Sequence, residues 1–188
     1  ADSWEIFTKV KTGSSTSSSY YILGGGGTSC FDYGIAGNVW KFYLSSNGSG
    51  WNLASNISKN ISASTSTWYY VKFYFTGTKY EMDVSTDGET WTNVAEFAST
   101  TKVYNCPTMR VGNTNDRNWP WKDYIDLNET YIKVNGEVVW IPISQPTVIA
   151  EMVVQYITII HYLLKILFSQ KTRVWMVELF TVWESYSS

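Results

Sequence analysis

The stretch WYYVKFYFTGTKYEMDVSTDGETW, residues 68–91, constrains the fold more than any other. Its side chains alternate with a period of two over two strand lengths, which is the signature of a half-buried β-hairpin. In the first arm Val71, Phe73 and Phe75 alternate with Tyr70, Lys72 and Tyr74. A lysine cannot sit in a core unpaired, so Lys72 marks the wet face and the Val/Phe set marks the core face. In the second arm Tyr80, Met82 and Val84 point inward, and Glu81, Asp83 and Ser85 outward. Thr76-Gly77-Thr78 joins the arms, and Asp87-Gly88 supplies the positive φ of a turn into TWTNVAEF. Asn135-Gly136 does the same between YIKV and EVVW.

The same grammar runs from residue 1 to residue 141. Candidate strands are Trp4–Val10, Tyr20–Leu23, Asn38–Leu44, Trp51–Ile57, Trp68–Thr76, Lys79–Ser85, Thr90–Phe97, Thr108–Val111, Tyr124–Asp126, Thr130–Val134 and Glu137–Ile141. Gly, Asn, Ser and Asp clusters separate them, and no segment of helical period interrupts them. Many short strands with a turn every ten residues or so predict an all-β sandwich or jelly roll. Pro142 and Pro146 then mark a linker at 142–147 and a change of character. In 148–188 the polar residues Glu151, Gln155, Thr158, His161 or Tyr162, and Lys165 recur at three- and four-residue steps, and Glu178, Thr181 and Glu184 do so again, which predicts two apolar helices joined at SQKTR.

Three roles compete for that tail. A membrane span needs about 20 mostly apolar residues. Residues 148–168 have the length, but Glu151, Gln155, His161 and Lys165 burden it, so membrane insertion is disfavoured while the length keeps it open. A narrow polar stripe leaves a wide apolar face, and homo-oligomerisation through it ranks slightly ahead. The third role is none at all, a gene end without selected function.

Composition narrows the chemistry. Formal net charge is -2 with 16% charged residues, so no basic face is implied and nucleic acid is excluded as a partner class. Aromatics reach 17%, including 10 Trp and 14 Tyr; sheets use aromatics freely, but so do surfaces that hold sugars. Cys30 and Cys106 are the only cysteines. One disulfide or two buried free thiols would each fit, the thiols at least as well. The single histidine, His161, lies in the tail, which removes Ser/His/Asp and Cys/His chemistry from the β-region. Gly24–Gly27 has no following helix and no Lys-Ser/Thr pair, so it reads as a loop or a close backbone crossing, not a phosphate cradle.

Two local motifs bear on sugar chemistry. STDGETW resembles the Asp-box of sialidases, one residue short between Asp87 and Gly88. Its physical content is a hairpin, with Ser85 and Asp87 bonding the turn backbone and Trp91 packing across it. EMDVSTD resembles the Glu-x-Asp-x-x-Glu strand of laminarinase-type glucanases. Glu81 and Asp83 match, but Thr86 stands where the second glutamate belongs. Retaining hydrolysis needs two placed carboxylates, so catalysis is disfavoured and no catalytic residue is assigned.

Binding features remain. Trp68, Tyr70 and Tyr74 share the wet face of one strand, and Tyr43 points outward from VWKFYL. Flat rings on a β-face can stack on a pyranose while polar neighbours bond its hydroxyls. The loop NTNDRNWPWKDY offers such groups in Asn113, Asn115, Asp116 and Arg117 beside Trp119. Trp121 fits packing under the loop better than binding. Asp116 with Asn113 and Asn115 also offers oxygens to calcium, a set short of the six to eight that ion takes; no other cofactor is implied.

WEIFTKVKTG, YYVKFYFTGTKYEMDVSTDGETW and the closing MRVGN…PW…YIDLNETYIKVNGEVVW together resemble the laminin-G-like, concanavalin A-like jelly rolls of bacterial and phage surface proteins. The resemblance covers residues 3 to about 141 and implies a two-sheet antiparallel sandwich. It further implies a lectin-like, non-catalytic role on a glycan or cell-surface polysaccharide, in an extracellular setting such as a tail fibre. A structural spacer without a sugar site is the alternative, and a glucanase-like hydrolase a distant third. The resemblance carries no residue set onto the loops, so the candidate site rests on chemistry alone.

Overall fold

The computed structural model describes residues 3–113 and 118–142. Within them the chain forms the strands β1 (Trp4–Lys11), β2 (Ser19–Gly25), β3 (Phe31–Ala36), β4 (Val39–Leu44), β5 (Ala54–Ile57), β6 (Trp68–Phe75), β7 (Lys79–Ser85), β8 (Thr92–Ala98), β9 (Met109–Val111), β10 (Ile125–Val134) and β11 (Glu137–Trp140). They make a six-stranded sheet in the order β11-β10-β1-β6-β7-β8 and a five-stranded sheet in the order β5-β4-β3-β2-β9. Every strand pair is antiparallel, and the two sheets pack as a sandwich. The expected two-sheet antiparallel fold is the one observed. The predicted linker from residue 143 onward and the tail lie outside the described residues.

The hairpin sets the core. Val71, Phe73 and Phe75 of β6, with Tyr80, Met82 and Val84 of β7, are all buried. From the other sheet come Phe31, Tyr33 and Ile35 of β3 and Trp40, Phe42 and Leu44 of β4. Phe73 is the hub: its ring lies 4.9 Å from Tyr33, 5.2 Å from Phe42, 5.5 Å from Phe31 and 5.2 Å from Trp4. Burying a side chain of this size contributes about 1.5–3 kcal/mol, and the ring pairs add to that.

Two elements depart from the expected pattern. FDYGIA was not expected as a strand, yet it is β3, central to its sheet and buried at all six positions. A strand covered on both faces does not alternate, so period two cannot reveal it. The pieces expected at Tyr124–Asp126 and Thr130–Val134 are one strand, β10, whose pairing with β1 slips between Phe7 and Lys9. That bulge interrupts the alternation and made one strand read as two.

The flanks of the sandwich differ. On one side β8 lies near β4 and β5, and Lys59 N donates to Val94 O at 2.8 Å. On the other, a cavity of about 430 Å³ opens between Trp4, Ile6, Phe75 and Ile132 of the larger sheet and Phe31, Val103 and Cys106 opposite. Cys30 and Cys106 form a disulfide with Cα atoms 5.8 Å apart, which decides against the free thiols that the sequence favoured at least equally. The bond fastens the irregular 101–106 segment to the start of β3. Tyr80 fastens it from below: its hydroxyl donates to Thr101 O at 2.8 Å and accepts from Val103 N at 3.0 Å. Burial pushes the Tyr80 phenol up to about 12.

The glycine run is a close backbone crossing. A Cβ on Gly24 would overlap Asp32 Oδ1, and one on Gly26 would overlap Thr108 Oγ1. Both sites therefore need glycine to let neighbouring chain approach.

Candidate functional site

The outer face of the six-stranded sheet follows from register. On β1 the outward side chains are Glu5, Phe7, Lys9 and Lys11, facing Tyr74, Lys72, Tyr70 and Trp68 of β6 in that order. On β7, Glu81, Asp83 and Ser85 continue the same rows beyond Tyr74, Lys72 and Tyr70. The result is a surface of rings, ammonium groups and carboxylates. Phe7 stacks on Tyr131 at 4.8 Å and lies 6.0 Å from Tyr70. Lys72 Nζ stands 3.6 Å from the Trp91 ring centroid and Lys133 Nζ 4.8 Å from that of Tyr131. Lysine stems lie along the rings while their charges stay wet.

Not every ring on this face is available. Tyr70 is held between Phe7, the Lys9 ammonium at 5.1 Å and the Gly88 turn. Tyr74 donates its hydroxyl to Asp83 Oδ2 at 2.8 Å; burial first, then that bond, pushes its phenol well above the ordinary range. Asn93 Nδ2 donates to the other oxygen of Asp83 at 2.7 Å. Trp68 differs, being 40% exposed, and the ring of Tyr124, 66% exposed, lies 6.5 Å away at an interplanar angle of 23°. Lys9 Nζ stands 5.8 Å from the Trp68 centroid and Lys11 Nζ 5.8 Å from that of Tyr124.

Asp87 belongs to the turn. Its Oδ1 accepts from Ser85 Oγ, Glu89 N and Thr90 N, each at 2.8 Å. The backbone N–H groups of Thr90 and Glu89 hold its carboxyl well below the usual carboxylate range. Trp91 packs back across the sheet, 6.3 Å from Phe7.

Glu81 meets a carboxylate the motif did not contain. Glu96 of β8 lies directly across the ladder from it. Two like charges so placed repel, and Lys79 stands against both, 2.9 Å from Glu81 and 3.9 Å from Glu96. Lys59 binds Glu96 at 2.8 Å and holds its carboxyl below the ordinary value.

Tyr43 lies on the opposite side of the molecule, on the outer face of the five-stranded sheet. Its hydroxyl donates to Asn56 Oδ1 at 2.7 Å, and its ring lies 5.8 Å from Tyr21 and 5.6 Å from Trp51. Burial, then the bond to Tyr43, pushes the Tyr21 phenol far up. Asp32 sits on this face too, 2% exposed, beside Gly24 and Tyr43 in register. Asn113 and Trp119 border it: the Asn113 carbonyl faces Gly24, and the Trp119 carbonyl accepts from Tyr21 N at 3.2 Å. Trp119 is 44% exposed. Trp121 is buried and donates Nε1 to Lys11 O at 2.9 Å. Asn115, Asp116 and Arg117, and with the first two all of the calcium set but Asn113, lie outside the described residues.

The sequence candidates thus divide between two faces with the core between them. Trp68, Tyr70 and Tyr74 share one; Tyr43, Asn113 and Trp119 belong to the other. Tyr124, Lys9 and Lys11 were not singled out. The signal for Lys9 and Lys11 was present, since both fall on the polar phase of the first strand.

No protein-family model matches the chain, and no curated protein matches it. Among solved structures it is similar to the botulinum neurotoxin serotype G binding domain, at 15% identity and a TM-score of 0.33. The match covers 58% of this chain and 32% of that one, so the chain spans about a third of its length. A likeness this loose has no bearing on function.

Proposed function

We propose that the chain is a non-catalytic carbohydrate-binding module of the lectin type, acting outside the cell on a bacterial surface or a virion tail. The observation that carries this is the Trp68–Tyr124 pair, two exposed near-parallel rings at one end of the outer sheet face. Large rings left in water beside one another have a use more often than scattered ones do, and such rings fit the apolar face of a pyranose. The disulfide supports an oxidising, extracellular setting. The resemblance to laminin-G-like jelly rolls agrees with both.

The carboxylates fit a non-catalytic reading. A glycosidase acid must hold its proton near neutral pH. Glu81 is ion-paired to Lys79, and Glu96 is held below its ordinary value by Lys59, which suits a solvated charge network. A spacer without a sugar site is the second reading, favoured by the way Tyr70 and Tyr74 are used up within the face.

The test is a glycan array probed with the full chain, beside Trp68→Ala and Tyr124→Ala variants checked for folding. Binding at least tenfold weaker in each variant, about 1.4 kcal/mol, is the expected result. Binding retained in both would move the site to the Tyr43–Trp51 face. A folded protein that holds no sugar would leave the spacer.

A further inference from the structure

We propose that the Trp68–Tyr124 platform takes acidic glycans, those bearing carboxylate or sulfate groups, in preference to neutral ones; this rests on the carbohydrate-binding reading above. Lys9 and Lys11 of β1, Trp68 and Tyr70 of β6, and Tyr124 just before β10 make the block. Lys9 pairs in register with Tyr70 and Lys11 with Trp68, all on one face. Residues two apart on a strand stand roughly 7 Å from each other, so the two ammonium groups form a short row beside the rings. Each already stands at a ring face: Lys9 against Trp68 and Tyr70, Lys11 against Tyr124.

Their charges are only lightly compensated. Among the described residues Lys9 has one ion pair, to Glu129 at 3.9 Å, whose carboxylate is half exposed. Among the described residues no carboxylate lies within ion-pair distance of Lys11. Asp126 lies directly across the β1–β10 ladder from Lys9 with no ion pair between them, and it turns one oxygen to its own strand, accepting from Asn128 N at 3.0 Å. A neutral pyranose stacked on Trp68 must push the Lys9 ammonium aside and offers it no charge in return. An acidic sugar stacks on the same ring and meets the displaced ammonium with its own anion, so the stack and the ion pair add. Charge complementarity at the rings is what selects.

The experiment titrates the full chain with oligogalacturonate and with a neutral galactose oligomer of equal length, at low and at physiological salt. The expected result is at least tenfold tighter binding of the acidic oligomer at low salt, with the advantage shrinking as salt screens it. Lys9→Gln/Lys11→Gln should erase the advantage of the acidic oligomer over the neutral one, and Lys9→Arg/Lys11→Arg should restore it. Trp68-dependent binding of both oligomers with equal affinity would overturn the acidic preference and keep the module a lectin. Acidic binding indifferent to Trp68→Ala and Tyr124→Ala would overturn the platform. Binding of neither oligomer, with an array also blank, would sink both readings.

Discussion

The Cys30–Cys106 bond gives the sharpest quantitative test of the fold. The two cysteines are 76 residues apart in sequence. In the chain-entropy picture, closing a loop of that length lowers the freedom of the unfolded chain by roughly 4.5 kcal/mol at 25 °C. Removed disulfides typically cost about 2–5 kcal/mol, so the estimate sits near the top of the observed range. The perturbation is the double variant Cys30→Ala/Cys106→Ala, which removes the cross-link and leaves a small apolar group at the buried Cys30 position. The assay is denaturant unfolding of wild type and variant, each with and without reductant, with thiols counted by chemical titration. The wild type should lose about 3–4.5 kcal/mol on reduction and the variant should be unmoved by reductant. The slope against denaturant should also rise in the variant, because an uncrosslinked chain exposes more surface. A wild type that yields two free thiols after reduction yet keeps its midpoint within experimental scatter would refute the reasoning.

Three further outcomes follow from the same geometry. Asp87 has its pKa lowered in the fold, so its contribution is complete above the unfolded value of about 4 and is lost as pH falls through the folded one. Asp87→Asn should therefore flatten the acid limb of a urea-midpoint profile between neutral pH and pH ~3, whereas an unchanged acid slope would mean the turn does not depend on that charge. Phe73→Ala, at a site ringed by Trp4, Phe31, Tyr33 and Phe42, should cost about 3–5 kcal/mol by chemical denaturation. Gly24→Ala should destabilise by about 1–3 kcal/mol, and Asp32→Ala in the same chain should recover part of that in a double-mutant cycle, because the added methyl collides with the Asp32 carboxylate.

What could be read in advance was governed by periodicity. The β6–β7 hairpin was legible to within a residue at its ends because one face is wet, and Lys72, Glu81 and Asp83 mark that face, although Ser85, expected outward, is buried. β3 was illegible for the opposite reason, since FDYGIA is buried throughout and carries no polar mark except Asp32. The site was legible only by half. Alternation says that Tyr43 and Trp68 both point outward, but it says nothing of which sheet each strand joins, and the pairing places them on opposite faces. Tyr124 was hidden because it precedes β10 and lies outside any alternating run. Its closeness to Trp68 comes from β10 and β6 lying on either side of β1, a relation between residues far apart in the chain.

That arrangement of β1 has a temporal consequence. The strand nearest the amino terminus is interior to its sheet, flanked by β6 on one side and β10 on the other, with Trp4 opposite both Phe75 and Val134. A ribosome delivers roughly 5–20 residues per second, so β1 waits several seconds for the last strand that covers it. Pairings this distant in sequence are also slow to find one another. Until Ile125–Val134 emerges, β1 offers an open row of backbone donors and acceptors to any neighbouring chain. A nascent chain halted before residue 125 should therefore self-associate through β1, and a strand made long before β10 is among the last to be secured.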